Sequence, residues 1–337
     1  MKNLLISSEE LTRHRKSSIN SMDNLFLDNL LALQEHQLET WALYRENIAR
    51  LNEVETKEYP FDQLRVVVQH NPARIISTSA SVDTESIKNR PCFLCANSLP
   101  SDQKGLLIKE KYLVLCNPFS IFHNHFTLPD ISHRPQNIDN RIEDMLMLAK
   151  EFREGYAVLY NGPGCGASAP DHFHFQAVRQ NSLPIITALL QNKIAPLETI
   201  NERTTTIESF TIKTLRFVKI STSKASDLVD QWNVFFDSVR QVANNNPEPL
   251  VNLILFFHDS HYHLLIYPRE KHRPKEYYYD GESKLVISPA AVDLGGIVII
   301  PRKEDFEKIN FNLINEVYDQ VLLSQEKINR VINLSAS

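Results

Sequence analysis

Residues 161–176 read NGPGCGASAPDHFHFQ, a glycine-rich loop followed by alternating polar and aromatic residues. In a β-strand, alternate side chains lie on one face, about 6.5–7 Å apart. The segment from residue 172 to residue 178 therefore predicts a strand with one polar and one apolar face. The polar face would carry His172, His174 and Gln176, and the apolar face would place Phe173 and Phe175 in the core.

The loop that precedes this predicted strand is rich in glycine, which is scarce elsewhere in the chain. Four of the eight glycines lie at positions 155, 162, 164 and 166. Backbone N–H groups of such a loop are suited to contact phosphate oxygens, and a neutral imidazole is a competent nucleophile towards phosphorus. The combination favours a catalytic site over the alternative, a half-exposed strand that happens to carry histidines.

A second pattern, Cys92-Phe93-Leu94-Cys95, has the spacing with which two thiolates reach one zinc ion. Such a site needs two more ligands, for which His125, His133 and His172 are available. A redox pair is the main rival, but no strand, Cys-x-x-Cys and helix arrangement of the thioredoxin type is evident. Two buried cysteines without a metal are the remaining alternative.

Composition limits the classes of protein to which the chain belongs. The 337 residues carry a net charge of −5, with 42% hydrophobic and 23% charged residues. These values are ordinary for a globular protein and disfavour non-specific binding to nucleic acid. No apolar run reaches the roughly 18–20 residues of a membrane span. Few cysteines in a long chain indicate a thiol-reducing, cytoplasmic setting rather than a disulfide framework.

Hydrophobic periodicity predicts an α+β fold with antiparallel sheets and packed helices. An amphipathic helix is expected over residues 20–54, which packs against the body of the protein; a dimer arm is possible, but its heptads are few. Strand pairs at 156–178 and 250–267 indicate two degenerate halves. We expect an N-terminal helical segment at 1–58, a first half at 59–200, and a second half with C-terminal helices at 201–337.

The motif at 161–176 resembles the active-site motif of the histidine-triad superfamily, in the branch where glutamine replaces the last histidine. That branch contains galactose-1-phosphate uridylyltransferases, diadenosine-tetraphosphate phosphorylases and GDP-hexose phosphorylases. The resemblance implies two histidine-triad-like halves in one chain. It also implies that His174 is the nucleophile, that a nucleotidyl-histidine forms, and that Gln176 steadies it beside His172.

Other segments resemble different members of the same branch. Residues 117–125 resemble the strand that precedes the helix of the superfamily, and residues 288–296 with 301–306 resemble plant-type GDP-L-galactose phosphorylases. The Cys92 and Cys95 pair resembles the zinc pair of bacterial uridylyltransferases, in which the first histidine of the motif is also a ligand. By that resemblance His172 joins a structural zinc site, with His133 or His125 as the fourth ligand.

A further histidine pair, His261 and His263, resembles the second metal site of the uridylyltransferases and makes a second metal possible. The alternative is a polar strand face. Substrate contacts are expected from loop residues, amides and cations. The candidates are Asn161, Gly164, Gly166, Ser168, Asn71, Arg74 and Arg273.

The predicted reaction is phosphorolysis of a nucleoside-diphosphate hexose, in which inorganic phosphate takes the nucleotide from His174. The alternatives are exchange with a sugar 1-phosphate, phosphorolysis or hydrolysis of a dinucleoside polyphosphate, and nucleotide binding without catalysis. No membrane or nucleic-acid partner is expected, and a homodimer is possible.

Overall fold

Helices and mostly antiparallel strands alternate in the computed structural model, which describes residues 4–15, 25–79, 84–243 and 248–335. The helices are α1 (Ser8–His14), α2 (Leu25–Thr40), α3 (Ala42–Arg50), α4 (Ile75–Thr78), α5 (Thr84–Lys88), α6 (Ile142–Phe152), α7 (Pro184–Leu190), α8 (Ala225–Ala243), α9 (Ala291–Leu294), α10 (Lys303–Lys308), α11 (Phe311–Val321) and α12 (Gln325–Ser335). The strands are β1 (Glu55–Phe61), β2 (Leu64–His70), β3 (Gly105–Ile108), β4 (Tyr112–Cys116), β5 (His125–Pro129), β6 (Tyr156–Asn161), β7 (His174–Arg179), β8 (Glu198–Glu202), β9 (Thr205–Ile212), β10 (Leu215–Thr222), β11 (Val251–His258), β12 (His261–Pro268) and β13 (Ile297–Ile300). The predicted α+β class is confirmed.

The chain forms two compact units from alternating segments. The first unit contains Met1–Val54, Ser81–Gln136 and Ala169–Arg179, and the second contains Glu55–Ala80, Asn137–Ser168 and Gln180–Ser337. The domain boundaries expected after residues 58 and 200 stay a prediction. In the described part of the chain, no helix is long and apolar enough to cross a membrane.

The first unit contains an antiparallel sheet in the order β3, β4, β5 and β7. Strand β7 pairs with β5 so that Gln176 lies opposite Thr127 and His174 lies opposite Pro129. Phe173 and Phe175 are almost completely buried and meet edge to face, with ring centroids 4.9 Å apart. The apolar side predicted from the alternating motif is therefore the core side of this sheet.

Strand β7 begins at His174 rather than at His172, so the predicted seven-residue strand is too long by two residues at its start. The N–H groups of the two preceding residues make loop hydrogen bonds, although the Phe173 carbonyl still accepts from the Asp130 N–H (2.9 Å). The N–H of His172 donates to the carbonyl of Ala169 (3.2 Å), and the N–H of Phe173 donates to the carbonyl of Arg134 (2.6 Å). His172 therefore lies in a loop and does not share a strand face with His174 and Gln176.

The helix predicted at 20–54 is two helices, α2 and α3, and its first five residues lie outside the described residues. Trp41 separates the helices with an extended backbone, φ −117° and ψ 99°. The Arg45 guanidinium donates to the carbonyls of Leu38 and Glu39, which satisfies the end of α2. Packing against the protein is confirmed, since Gln37 bonds the backbone of residues 102 and 104.

The second unit contains an antiparallel sheet in the order β6, β11, β12, β10, β9 and β8. A smaller sheet has the order β1, β2 and β13, in which β13 is parallel to β2. The predicted hairpin at 250–267 is present as β11 and β12. All residues of β11 from Val251 to Phe256 are buried, which makes this strand a central element of the unit.

Glu248 is a buried acid at the edge of this core. Its carboxylate accepts hydrogen bonds from the Tyr160 hydroxyl (2.8 Å) and the Ile138 N–H (3.2 Å). Burial raises the pKa of Glu248 to about 7, and the two hydrogen bonds only partly oppose this. The folded state therefore holds this proton more tightly than the unfolded chain does.

We expect the folded state to lose up to about 3 kcal/mol of stability at Glu248 as pH rises from about 4.5 through 7. In this window the unfolded chain has already released the proton that the folded chain keeps. Glu248→Gln removes the titration, so its melting temperature should rise relative to wild type between pH 5 and pH 8. The exposed control Glu307→Gln should follow wild type; an equal response of both variants would contradict the prediction.

Candidate functional site

The His174 side chain is fixed by a short local contact. Its Nδ1 lies 2.8 Å from the carbonyl oxygen of His172. A carbonyl only accepts, so Nδ1 carries the proton and Nε2 keeps its lone pair. The ring is 4% exposed, and burial lowers the pKa of His174 to about 4. The imidazole is therefore neutral near pH 7, with Nε2 in the protonation state of a nucleophile.

The backbone of His174 is held by Gln136, a residue that the sequence analysis missed. The Gln136 Oε1 accepts from the His174 N–H (2.8 Å), and its Nε2 donates to the His174 carbonyl (3.0 Å). Gln136 is 2% exposed, and its own N–H donates to the carbonyl of Pro170 (3.0 Å). One buried side-chain amide therefore hydrogen-bonds both the N–H and the carbonyl of His174, as the backbone of a neighbouring strand would.

Gln176 is oriented by His125. The Ile121 N–H donates to His125 Nδ1 (3.2 Å), so the proton of this ring lies on Nε2. His125 Nε2 is 2.9 Å from Gln176 Oε1 and donates to it. The acceptor end of the Gln176 amide is thereby engaged, and its N–H₂ end has the donors that would meet a phosphoryl oxygen. This contact takes His125 out of the set of candidate metal ligands.

Cys92, Cys95, His133 and His172 form a group that could hold a metal ion. One donor atom from each lies within 4.8 Å of the others. His172 Nδ1 is 3.2 Å from the Cys92 sulfur, and His133 Nδ1 is 3.2 Å from the Cys95 sulfur. His172 Nε2 donates to the Asp130 carbonyl (2.8 Å), which directs Nδ1 towards the group. Between the two alternatives for the fourth ligand, the geometry selects His133.

The loop between Asn161 and Ser168 belongs to the second unit, and its shape depends on glycine. Gly166 has φ +91°, and a Cβ at this position would lie 2.8 Å from the Ala290 Cβ. Asn161 is buried, and its Oδ1 accepts from Asn252 Nδ2 (2.7 Å) and from the Ala291 N–H (2.8 Å). This loop is therefore in direct contact with the segment at 289–291.

The cationic candidates of the second unit gather around the same segment. Arg273 donates to Ser288 Oγ (3.1 Å) and to the Thr78 carbonyl (3.2 Å), and its guanidinium lies 4.1 Å from the Tyr277 ring centroid. Burial lowers the pKa of Arg74 to about 10, and the negative charge of Asp293 opposes this.

The remaining predicted substrate residues also lie in the second unit. Asn71 is buried and donates to Gln69 Oε1 (3.3 Å). Gly164 lies within the loop at 162–168, where a Cβ would come 2.6 Å from Leu250, and the half-buried Ser168 ends that loop. All seven predicted substrate-binding residues thus lie in the second unit.

The second histidine pair lies on one face of β12, with ring centroids 6.3 Å apart. His261 Nδ1 contacts the Asp259 carbonyl (2.8 Å), and His263 Nδ1 contacts Ser221 Oγ (2.9 Å). Among the residues described, neither histidine belongs to a group of three metal-binding side chains. The second metal at His261 and His263 stays a prediction.

Comparisons with known proteins agree with the histidine motif. Residues 33–179 match the profile of a family described as a domain of unknown function (DUF4922), which covers less than half of the chain. Galactose-1-phosphate uridylyltransferases from Lactococcus lactis subsp. cremoris strains SK11 and MG1363 are each 26% identical over 171 residues. The match covers 48% of this chain and 34% of each relative, so the chain spans about a third of their length. The predicted resemblance to galactose-1-phosphate uridylyltransferases is confirmed over this part of the chain.

Solved structures with related chain paths are more distant. Yeast Ap4A phosphorylase Apa2 has a TM-score of 0.49 at 14% identity, covering 86% of this chain and 94% of that chain. A uridylyltransferase mutant has a TM-score of 0.38 at 12% identity, covering 83% of this chain and 97% of that chain. With these scores, neither similarity carries an argument about the chemistry of the chain.

We expect Gly166→Ala to lower the free energy of unfolding by about 2–4 kcal/mol, because strain at positive φ adds to a clash with Ala290. Gly281 is a matched control, since it also has positive φ (+61°) but no atom within 4 Å of an added Cβ. Gly281→Ala should cost about 1 kcal/mol. Denaturant titration of both variants measures the difference, and equal losses would show that the contact with Ala290 is unimportant.

Proposed function

We propose that this chain is a nucleotidyltransferase in which His174 Nε2 attacks the α-phosphorus of a nucleotide substrate. The observation that carries the proposal is the Nδ1–H contact with the His172 carbonyl, which leaves the lone pair on Nε2. Burial keeps this imidazole neutral. A nucleophile that is already deprotonated needs no separate base.

In the first step, the Nε2 lone pair forms a bond to phosphorus, and the bond from phosphorus to the leaving oxygen breaks. The electron pair of that bond leaves with a sugar phosphate, and the nucleotide stays on His174. In the second step, an oxygen of the acceptor forms a bond to the same phosphorus, the bond from phosphorus to Nε2 breaks, and its electron pair returns to Nε2, which restores the neutral imidazole. The N–H₂ group of Gln176, which His125 orients, donates to a phosphoryl oxygen during both steps.

The group of Cys92, Cys95, His133 and His172 fits a structural zinc ion. Two thiolates and two imidazole nitrogens are a donor set that zinc prefers, and four protein ligands leave no position for substrate. When bound, zinc would crosslink the loop of residues 92–95 to His172 and so fix the carbonyl that orients His174. A reducing compartment such as the cytoplasm fits the free thiols of this set.

The substrate we propose is a nucleoside-diphosphate hexose, with inorganic phosphate as acceptor. This rests on the resemblance of residues 288–306 to GDP-hexose phosphorylases. A second acceptor, hexose 1-phosphate, is favoured by the Cys92 and Cys95 pair and by the sequence match to galactose-1-phosphate uridylyltransferases.

We expect His174→Ala to reduce turnover by at least about a thousandfold while nucleotide binding persists, because the attacking imidazole is removed and the proposed substrate-binding residues are unchanged. Incubation of wild type with UDP-glucose, GDP-glucose or Ap4A should yield a nucleotidyl adduct on His174 in peptide mass spectrometry. The exposed control His123→Ala should form the adduct normally. Wild-type turnover in His174→Ala, or an adduct on another residue, would overturn the assignment.

The same adduct distinguishes the acceptors. After removal of free substrate, it is mixed separately with phosphate, glucose 1-phosphate or buffer alone. Rapid discharge by phosphate supports the phosphorylase, whereas discharge by glucose 1-phosphate alone supports the exchange reaction. Equal rates in all three mixtures would identify a hydrolase, and binding of nucleotide with no adduct would leave a nucleotide-binding protein without catalysis.

Purified protein should contain about one zinc ion per chain, and Cys92→Ser should lower both zinc content and melting temperature. Metal loss removes binding free energy that belongs to the folded state alone. Cys116→Ala is the matched control, since Cys116 is a buried cysteine of β4 outside the group. It should keep its zinc even if it melts earlier. Protein prepared without chelator that contains no zinc would refute the site.

A further inference from the structure

Arg269 follows β12 and is a completely buried arginine, 0% exposed. Its Nη1 donates to Asn252 Oδ1 (2.8 Å) and to the Pro289 carbonyl (2.5 Å). Its Nη2 donates to the carbonyls of Lys271 (3.0 Å) and His272 (2.6 Å). The guanidinium therefore reaches two loop segments and one strand residue at once.

These acceptors are all neutral oxygens. Arginine stays protonated in proteins, so its charge must be stabilised where it lies. In the part of the chain that the structure describes, the hydrogen-bond acceptors of Arg269 are an amide oxygen and main-chain carbonyls, and its Nε has no hydrogen-bond partner. Burial lowers the pKa of Arg269, while the nearby Cys165 and Asp293 oppose this. The Arg269 guanidinium is therefore held mainly by main-chain carbonyl dipoles, with Asp293 as a nearby negative charge.

Asn252 extends this contact to the glycine loop. Its Oδ1 accepts from Arg269, and its Nδ2 donates to Asn161 Oδ1 (2.7 Å) and to the Cys165 carbonyl (2.7 Å). Asn161 Oδ1 in turn accepts from the Ala291 N–H. One buried network thus connects the segments at 161–165, 271–273 and 289–291.

We infer that Arg269, together with Asn252, is a positioning residue that holds these three segments as one anion-binding cradle for the phosphates of a nucleotide. The inference rests on the proposed function for the identity of the anion. The three segments are those that carry or contact the candidates Asn161, Gly164, Gly166 and Arg273. The charge of Arg269, which Asp293 offsets in part, raises the potential of the cradle, and its fork geometry holds three main-chain carbonyls that a single ammonium group would not span.

Hydrogen–deuterium exchange tests the coupling without any ligand. In Arg269→Lys and in Asn252→Ser, exchange should rise together in peptides covering 161–168, 270–274 and 288–294. Asn252→Ser keeps the charge of Arg269 and removes the amide that links Arg269 to the glycine loop, so it carries the test if Arg269→Lys folds poorly. The matched control is Arg45→Lys, because the Arg45 guanidinium also donates to two backbone carbonyls, those of Leu38 and Glu39, and lies in the first unit.

Calorimetric titration with UMP, GMP and AMP tests the ligand. Both variants should bind the preferred nucleotide at least about tenfold more weakly, a loss of roughly 1.4 kcal/mol, while Arg45→Lys binds as wild type does. Increased exchange only at 270–274 would overturn the coupling. Increased exchange in all three peptides with unchanged affinity would overturn the role in binding. If wild type binds no nucleotide, both the proposed function and the assignment of the anion are wrong. Hydrogen–deuterium exchange still tests whether Arg269 and Asn252 couple the three segments.

Discussion

The hydrogen bond from His174 Nδ1–H to the carbonyl of His172 is the contact on which the site depends. It requires that the backbone leave the strand pattern just before His174, so that the carbonyl of His172 turns towards the ring. The loop bonds of His172 and Phe173 to Ala169 and Arg134 produce this change of direction. A regular strand through both histidines would have used that carbonyl in the sheet ladder.

The same change of backbone direction gives the side chains of His172 and His174 different surroundings. His172 faces the two cysteines through Nδ1 and is anchored by the Asp130 carbonyl through Nε2. His174 is buried and neutral, with Nε2 available for chemistry. A metal held by His172 would therefore stabilise the backbone that orients His174 without touching the reacting atom.

Neutral amides do much of the positioning in both units. Gln136 holds the backbone of His174, and Asn252 connects the glycine loop to Arg269. Each of these side chains is buried and has partners far away in sequence. Loss of one amide would leave buried polar groups unpaired, which is why such positions constrain a site strongly.

Local chemistry was readable from residue order: the Cys92 and Cys95 spacing, the His-x-His-x-Gln alternation and the glycine loop all encode short-range geometry. The α+β class could be predicted from hydrophobic periodicity, because the repeat of apolar residues also reflects local backbone geometry. Residue order did not reveal that His125 orients Gln176 or that Gln136 bonds the backbone of His174. It also did not reveal that Arg269 connects three segments. These contacts join residues that are at least 17 positions apart in the sequence. The sequence pattern also predicted His172 in the strand, because the alternation of polar and apolar residues does not show where loop hydrogen bonds end a strand. Only the folded chain brings these partners within hydrogen-bond distance, and hydrogen bonds act over about 3 Å whatever the separation in sequence.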